Sequence, residues 1–448
     1  MHDPTPTDSE RFPILSDAGR RMLEFMREHP AAPRFHNHSG HRLQAEDLPG
    51  LRFFTDEVAQ ANVDPRADLR HGWFADFVQR ALAGVPFYRQ YGGLPESLTD
   101  LPTITRGDLA RDIAAFVPDA QPLDRLINFR TTGTTGQPLL VPSHPLVAAR
   151  YLAFHQRALR RFGIELRSGA GEVGVALVGW QQRCFTYVSV TPQQGECGLA
   201  KINLHADDWR VPADRGSYLD ALRPEIITGD PLSLAVLLEL DFAHRPRAIM
   251  STSMSLSTGL RAALEARFGC PLLDLYSLNE AGPVACFDPA LAAHVLLQHR
   301  LVVEILDAEG VSLAEGERGE ITLSGGFNFC LPLLRYRTGD HAALERREGE
   351  WVLSGLAGRA PVRFRGENGS FLNNIDVTHA MKPFALAQYA LKQRADGSFD
   401  LDLFGPVSPD EMLIREALIG LFGAGIEVRI HQVREVCDKV LQYQTELN

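Results

Sequence analysis

Residues 129–140, FRTTGTTGQPLL, set four threonines and two glycines between a strand-like run, RLINF, and another, PLLV. Glycines let successive backbone N–H groups converge on an anion, and threonine hydroxyls add further donors. The loop of Thr131, Thr132, Gly133, Thr134, Thr135 and Gly136 therefore has the makings of a phosphate cradle. A flexible surface turn would have the same composition. It is not a Walker A sequence, because it lacks the G-K-[ST] ending and leads into a strand-like run. Three further short stretches stand downstream: YSLNEAGP from Tyr276, LRYRTGD from Leu334 and GRAPVRFRGEN from Gly358.

Of the 45 basic residues only four are lysine: Lys201, Lys382, Lys392 and Lys439. Arginine bridges carboxylates bidentately and serves a surface well, whereas a compact ammonium is harder to replace at a reacting centre. The segment GWQQRCFTYVSV holds Trp180, Phe185 and Tyr187, aromatic walls that suit a planar acid and fill a core equally well. HNHSGH brings His36, His38 and His41 together without an acidic or cysteine neighbour, which favours structural or solvated histidines over zinc. The six cysteines are scattered with no C-x-x-C pair, as expected of reduced core thiols.

These residues need a scaffold, and the 448-residue chain, 45% hydrophobic, is long enough for two or more domains with a substantial core. A formal charge of −11 argues against a nucleic-acid surface. The N-terminus lacks a basic segment followed by an apolar stretch, and no run approaches a membrane-spanning length, so the expected location is cytoplasmic.

The first 124 or so residues read as helical. Trp73, Phe74, Phe77, Val78 and Leu82 recur at helical spacing before Gly84 and Pro86, and TRGD predicts a capped helix start at Thr105 with Asp108 closing the box. From about residue 125, apolar runs (RLINF, PLLV, GVALVGW, EIITG, RAIMSTS, PLLDLYS) alternate with helical segments, the sign of a layered α/β domain. From Leu301 the text turns β-rich. A smaller α+β unit follows from about Gly358, with a hairpin turning at Asp396–Gly397 and a helix capped by Ser408. The expected fold is thus α/β: a large multi-layer N-terminal domain, 1–357, with a β-rich subdomain, and a small α+β C-terminal lid, 358–448.

The order and spacing of the Thr/Gly loop and the three downstream motifs resemble the adenylate-forming superfamily, and within it the phenylacetate-CoA ligase-like branch. The resemblance covers most of the chain; ALAGVPFYRQY followed by SLTDLPTITRGDL is similar to that branch's N-terminal helical region. It implies that Thr131 to Gly136 hold the β- and γ-phosphates of ATP, Tyr276 packs on adenine and Glu280 helps hold Mg²⁺. It implies also that Asp340 grips the ribose hydroxyls, Arg359 contacts the nucleotide beside a hinge, and Gly366 sits in the lid turn that swings toward the thiol tunnel. Lys439 matches the lysine that meets the acid carboxylate and α-phosphate.

The sequence departs from the pattern at several positions. Gln137 stands where a lysine often follows the loop, Asn279 where Thr or Ser contacts the α-phosphate, and Ser253 with its neighbours where an adenine contact is expected. Ala360 and Pro361 replace an acidic hinge residue, and Asp438 replaces the glycine beside the lysine. The implied activity is ATP-dependent ligation of a carboxylic acid, with an aryl acid favoured by the aromatic segment, through an acyl-adenylate to coenzyme A. The alternatives are transfer to an amine, a protein thiol or a reductase partner in secondary metabolism, a non-catalytic acid or nucleotide binder, and a structural subunit of a larger complex. The implied partners are the acid, ATP with Mg²⁺, and coenzyme A, without nucleic acid or membrane, a homodimer being open.

Overall fold

The computed structural model describes residues 6–131, 139–181, 184–358, 362–405, 410–433 and 440–447. The chain gathers into two compact units: 1–42, 164–274 and 361–448 form the first, and 43–163 with 275–360 the second.

The first unit is built on a mainly parallel sheet. Its strands run in the order Leu272–Leu278, Ala248–Ser251, Ile226–Gly229, Val173–Gly179 and Cys197–Asn203, with Tyr187–Thr191 antiparallel at the edge. These are continuous apolar runs because a parallel sheet covered on both faces has no wet side. Helices Asp17–Glu28, Asp214–Leu222, Pro231–Val236 and Thr258–Phe268 supply the cover, and Met26, Tyr218, Leu264 and Phe268 reach the shared core.

The C-terminal part of this unit has its own core around Phe364, Leu391, Phe399, Leu401 and Leu418. It contains four strands ordered Val428–Val433, Phe399–Phe404, Gln388–Gln393 and Tyr443–Thr445, with helices Asn374–Met381 and Glu411–Phe422. Gly397 at φ +87° turns the expected hairpin. The helix expected from Ser408 begins instead with Asp410 as its cap, whose carboxylate accepts the Met412 and Leu413 amides; Ser408 lies outside the described residues. The last strand, Tyr443–Thr445, runs parallel to Gln388–Gln393, and Tyr443 shares a chain of hydroxyls with Tyr389 (2.5 Å) and Thr378 (2.7 Å).

In the second unit, strands Leu301–Leu306, Arg318–Gly325, Leu333–Arg347, Glu350–Ala357, Ala293–Leu296 and Gly282–Asp288 follow one another in an antiparallel array, and Gly282–Asp288 pairs with Leu275–Leu278 of the strand Leu272–Leu278. Helix Trp73–Gly84 buries Phe74, Val78 and Leu82, with Trp73 and Phe77 partly covered, as its spacing predicts. Thr105 caps helix Arg106–Arg111 in a box with Asp108. Just before it, Ile104 and Thr105 pair in parallel with Tyr336 and Arg337. Among the described residues no helix is long and apolar enough to cross a membrane.

Two consequences can be measured. His155, on helix Pro145–Arg161, is held by desolvation at a pKa of about 4, against an ordinary value of 6.5. Between those values the unfolded chain binds a proton that the folded ring refuses, so stability falls as pH falls through that window. The urea midpoint should drop between pH 7 and pH 4.5, and His155→Leu should flatten part of that slope; an unchanged slope would remove His155 as a cause. At Gly259 an added Cβ would lie 2.5 Å from the Phe384 carbonyl oxygen and against the Ala385 amide. Gly259→Ala should destabilise by about 1–3 kcal/mol, whereas Gly50→Ala, with open space around it, should be neutral or stabilising in the same denaturation assay.

Candidate functional site

Of the residues singled out downstream of the Thr/Gly loop, Tyr276, Asn279, Glu280 and Asp340 lie in the second unit. Tyr276 lies near the end of the strand Leu272–Leu278, and its hydroxyl donates to Asp340 Oδ2 at 2.9 Å. Asp340 in turn is shaped by its own loop: Thr338 Oγ1 accepts the Asp340 amide at 3.1 Å, and Glu320 accepts the Gly339 amide at 2.9 Å, with Gly339 at φ +81°. Arg337 donates to the same Glu320 at 2.7 Å. Burial raises the Tyr276 phenol well above its ordinary value, and the Asp340 carboxylate adds to this. The hydroxyl therefore stays a donor at any working pH.

Glu280 occupies the turn that leads into Gly282–Asp288 and is 5% exposed. A carboxylate so far from water needs compensating partners. Arg106 donates to Glu280 Oε1 at 3.0 Å, and the Tyr336 hydroxyl reaches the same oxygen at 3.3 Å. Burial raises the phenols of Tyr336 and Tyr151, the negative charge of Glu280 being the next cause for each. Gly282 has φ +74°, and a Cβ there would meet the Phe327 ring at 2.5 Å and Tyr151 Cζ at 3.4 Å, so this turn requires glycine.

Glu280 offers a single hard carboxylate, and among the described residues no group of three or more His, Cys, Asp or Glu is placed to cage an ion. That donor set fits Mg²⁺, which commonly takes one or two carboxylates and completes its shell from water and substrate phosphates.

Asn279 is exposed. In the first unit, Ser253 is also exposed, with φ +73°, an uncommon conformation for a non-glycine residue that marks a locally constrained turn. Along the edge strand of that unit Phe185 and Tyr187 make an edge-to-face pair with centroids 5.6 Å apart, Phe185 51% exposed, while Trp180 is partly buried against the core. Lys201, the cross-strand neighbour of Tyr187, lies 5.8 Å from the Phe185 ring centroid. His36 bonds Asp208 at 3.0 Å and His41 packs on Phe12, so both act as local struts. Gly366 sits in the turn between Arg363–Arg365 and Phe371–Asn373, its amide bonded to Ser370 O at 2.9 Å. Thr131 ends the strand Ile127–Thr131; Thr132, Gly133, Thr134, Thr135, Gly136, Arg359 and Lys439 lie outside the described residues.

Sequence reasoning passed over Arg106 and Tyr336. Tyr336 lies inside LRYRTGD, but its partner is set by the fold. Arg106 had one usable signal: it directly follows a capping Thr105, so a cation sits at a strand-to-helix corner.

No family model matches the chain. Phenylacetate-coenzyme A ligase of Aromatoleum evansii is 27% identical over 363 residues, covering 72% of this chain and 77% of its own length. The enzyme of the same name from Escherichia coli strain K12 is 25% identical over 316 residues, 64% of this chain and 68% of its own. Among solved structures, 2-hydroxyisobutyryl-CoA ligase in its postadenylation state aligns with a TM-score of 0.61 at 15% identity, over 88% of this chain and 89% of that one. An open conformation of that ligase gives 0.53 over 82% and 89%.

A double-mutant cycle tests the geometry around Glu280. Arg106→Met and Glu280→Gln should couple by about 1–2 kcal/mol in urea unfolding, below the range for fully buried pairs because Arg106 is 31% exposed. Additive effects would mean that the two charges do not meet in solution. The chain thus has the fold of 2-hydroxyisobutyryl-CoA ligase and is similar in sequence to the phenylacetate-coenzyme A ligases.

Proposed function

We infer that the chain is an AMP-forming acid–thiol ligase. It joins a carboxylic acid to coenzyme A at the expense of ATP, by way of an acyl-adenylate. The observation that carries this reading is the meeting of Tyr276 with Asp340 and of Glu280 with Arg106 and Tyr336 in one unit of this fold. The relatives named phenylacetate-coenzyme A ligase support an aryl acid as substrate, as do the exposed Phe185 ring and its neighbour Tyr187.

In the first half-reaction an acid carboxylate oxygen attacks the α-phosphorus, the bond to the bridging oxygen breaks, and pyrophosphate leaves. In the second, the coenzyme A sulfur attacks the acyl carbon, a thioester forms and AMP departs. Asp340 is suited to accept the ribose hydroxyls, because a carboxylate takes several O–H donors at once. Tyr276 offers a flat apolar face for adenine while its hydroxyl keeps Asp340 in place. Glu280 would hold Mg²⁺, which supplies positive charge to the phosphates when bound. Backbone amides of Thr131 to Gly136 suit the leaving pyrophosphate, and Ser253, Asn279 and Arg359 are assigned to the nucleotide. Lys439 is assigned to the carboxylate and α-phosphate, where charge is redistributed during adenylation. Gly366 is assigned to the lid turn of the thiol step.

The decisive measurement is acid-dependent pyrophosphate release over aryl, fatty and heteroaromatic acids, with product mass read with and without coenzyme A. Aryl acids should lead and a coenzyme A thioester should form; a thioester that never appears would hand the acyl group to another acceptor. In the same assay Lys439→Ala should slow acyl-adenylate formation by on the order of 10²–10³. Its conversion of a supplied acyl-adenylate should stay near wild type. Loss of both half-reactions alike would strip Lys439 of that role.

A further inference from the structure

We propose that a basic cavity in the first unit, outside the candidate nucleotide residues, binds a phosphate monoester. The cavity has a volume of about 590 Å³, within the range that takes a small-molecule ligand. Four guanidinium groups line it, from Arg11, Arg27, Arg34 and Arg210, against the single carboxylate of Asp8. In a chain of net charge −11 such a concentration of cations is local, not a reflection of bulk composition.

The four arginines are not equivalent. Arg11 is 6% exposed and is spent on structure: it donates to Ser39 O at 3.2 and 2.7 Å and to Asp8 at 2.7 Å. Arg27 also holds Asp8, through both terminal nitrogens at 2.7 and 3.0 Å. Asp8 is therefore shared between two cations, and burial together with the Arg27 charge lowers the Arg11 pKa. Among the described residues the Arg34 guanidinium donates only to the Asp207 backbone carbonyl, at 3.1 Å. Arg210 makes no hydrogen bond or ion pair with any described residue. Two guanidinium forks thus remain for a ligand above a pair already crowded with positive charge.

A phosphate monoester is the group that answers this arrangement. It carries close to two negative charges and three acceptor oxygens, which planar guanidinium forks meet bidentately. Phe35 and Pro33 form an apolar wall beside the cations, giving the organic part of an ester a surface. The walls are fixed in advance: Asn37 exchanges bonds with Thr186 at 3.0 and 2.9 Å, Arg34 donates its amide to Asp208 O at 2.7 Å, and His36 is held by the Asp208 carboxylate. Preorganised donors lose little freedom on binding.

Calorimetry on the full chain tests the site with inorganic phosphate, 3′,5′-ADP, coenzyme A and dephospho-coenzyme A. The expected result is binding of 3′,5′-ADP that Arg210→Ala and Arg34→Ala each weaken about tenfold or more, with ligand-free melting unchanged. Preference for coenzyme A over dephospho-coenzyme A, lost in Arg210→Ala, would name the 3′-phosphate of coenzyme A as the source. Equal binding of those two, with 3′,5′-ADP or phosphate still bound through Arg210, would name a free phosphate or phosphate ester. Wild-type affinity in both variants, or no binding of any probe at millimolar concentration, overturns the proposal. Pyrophosphate release measured in parallel keeps the readings apart: a chain that binds phosphate through Arg210 yet adenylates no acid keeps this site and sinks the ligase assignment.

Discussion

Almost burying a carboxylate costs several kcal/mol unless its charge is met, and Glu280 is met by Arg106 from 174 residues earlier in the chain. The arrangement of Glu280, Tyr336, Asp340 and Tyr276 depends on that pairing. Arg106 is in place because Ile104 and Thr105 add a short parallel bridge to Leu333–Arg347, after which Thr105 caps the helix that Arg106 opens. The same strand carries Tyr336 to the same Glu280 oxygen and, four residues on, Asp340 to the Tyr276 hydroxyl. One strand therefore sets the spacing of Tyr276, Asp340 and Glu280, and a slip in its register would dislodge all three.

Most elements were legible because their signals are local. The strands Val173–Gly179, Ile226–Gly229, Ala248–Ser251 and Leu272–Leu278 are the apolar runs expected of a sheet covered on both faces. The box of Thr105 and Asp108 spans four residues and forms as read. Ser408 and Asp410 are both good cap formers two residues apart, and such boundaries shift by a residue or two because either side chain can accept a first-turn amide.

What was not legible depends on distant partners. Nothing local in TITRGDL says that its arginine will face Glu280. HNHSGH looked like a cluster of three imidazoles, yet the fold sends His36 to Asp208 and His41 to Phe12. The arginines around Asp8 come from positions as far apart as 11 and 210, and only tertiary structure makes them neighbours. The final strand Tyr443–Thr445 is three residues long, too short for a period-two pattern to register.

That final strand is held more firmly than its three residues suggest. Short edge strands usually open at little free-energy cost and exchange their amide protons early. Here the strand is laddered to Gln388–Gln393, and the hydroxyls of Tyr443, Tyr389 and Thr378 form a hydrogen-bonded line. Burial raises the Tyr389 and Tyr443 phenols, so the line keeps its protons. Peeling this strand away would leave those hydroxyls unpaired inside the small sheet, which ties its opening to the unfolding of the core around Phe364, Leu391 and Phe399.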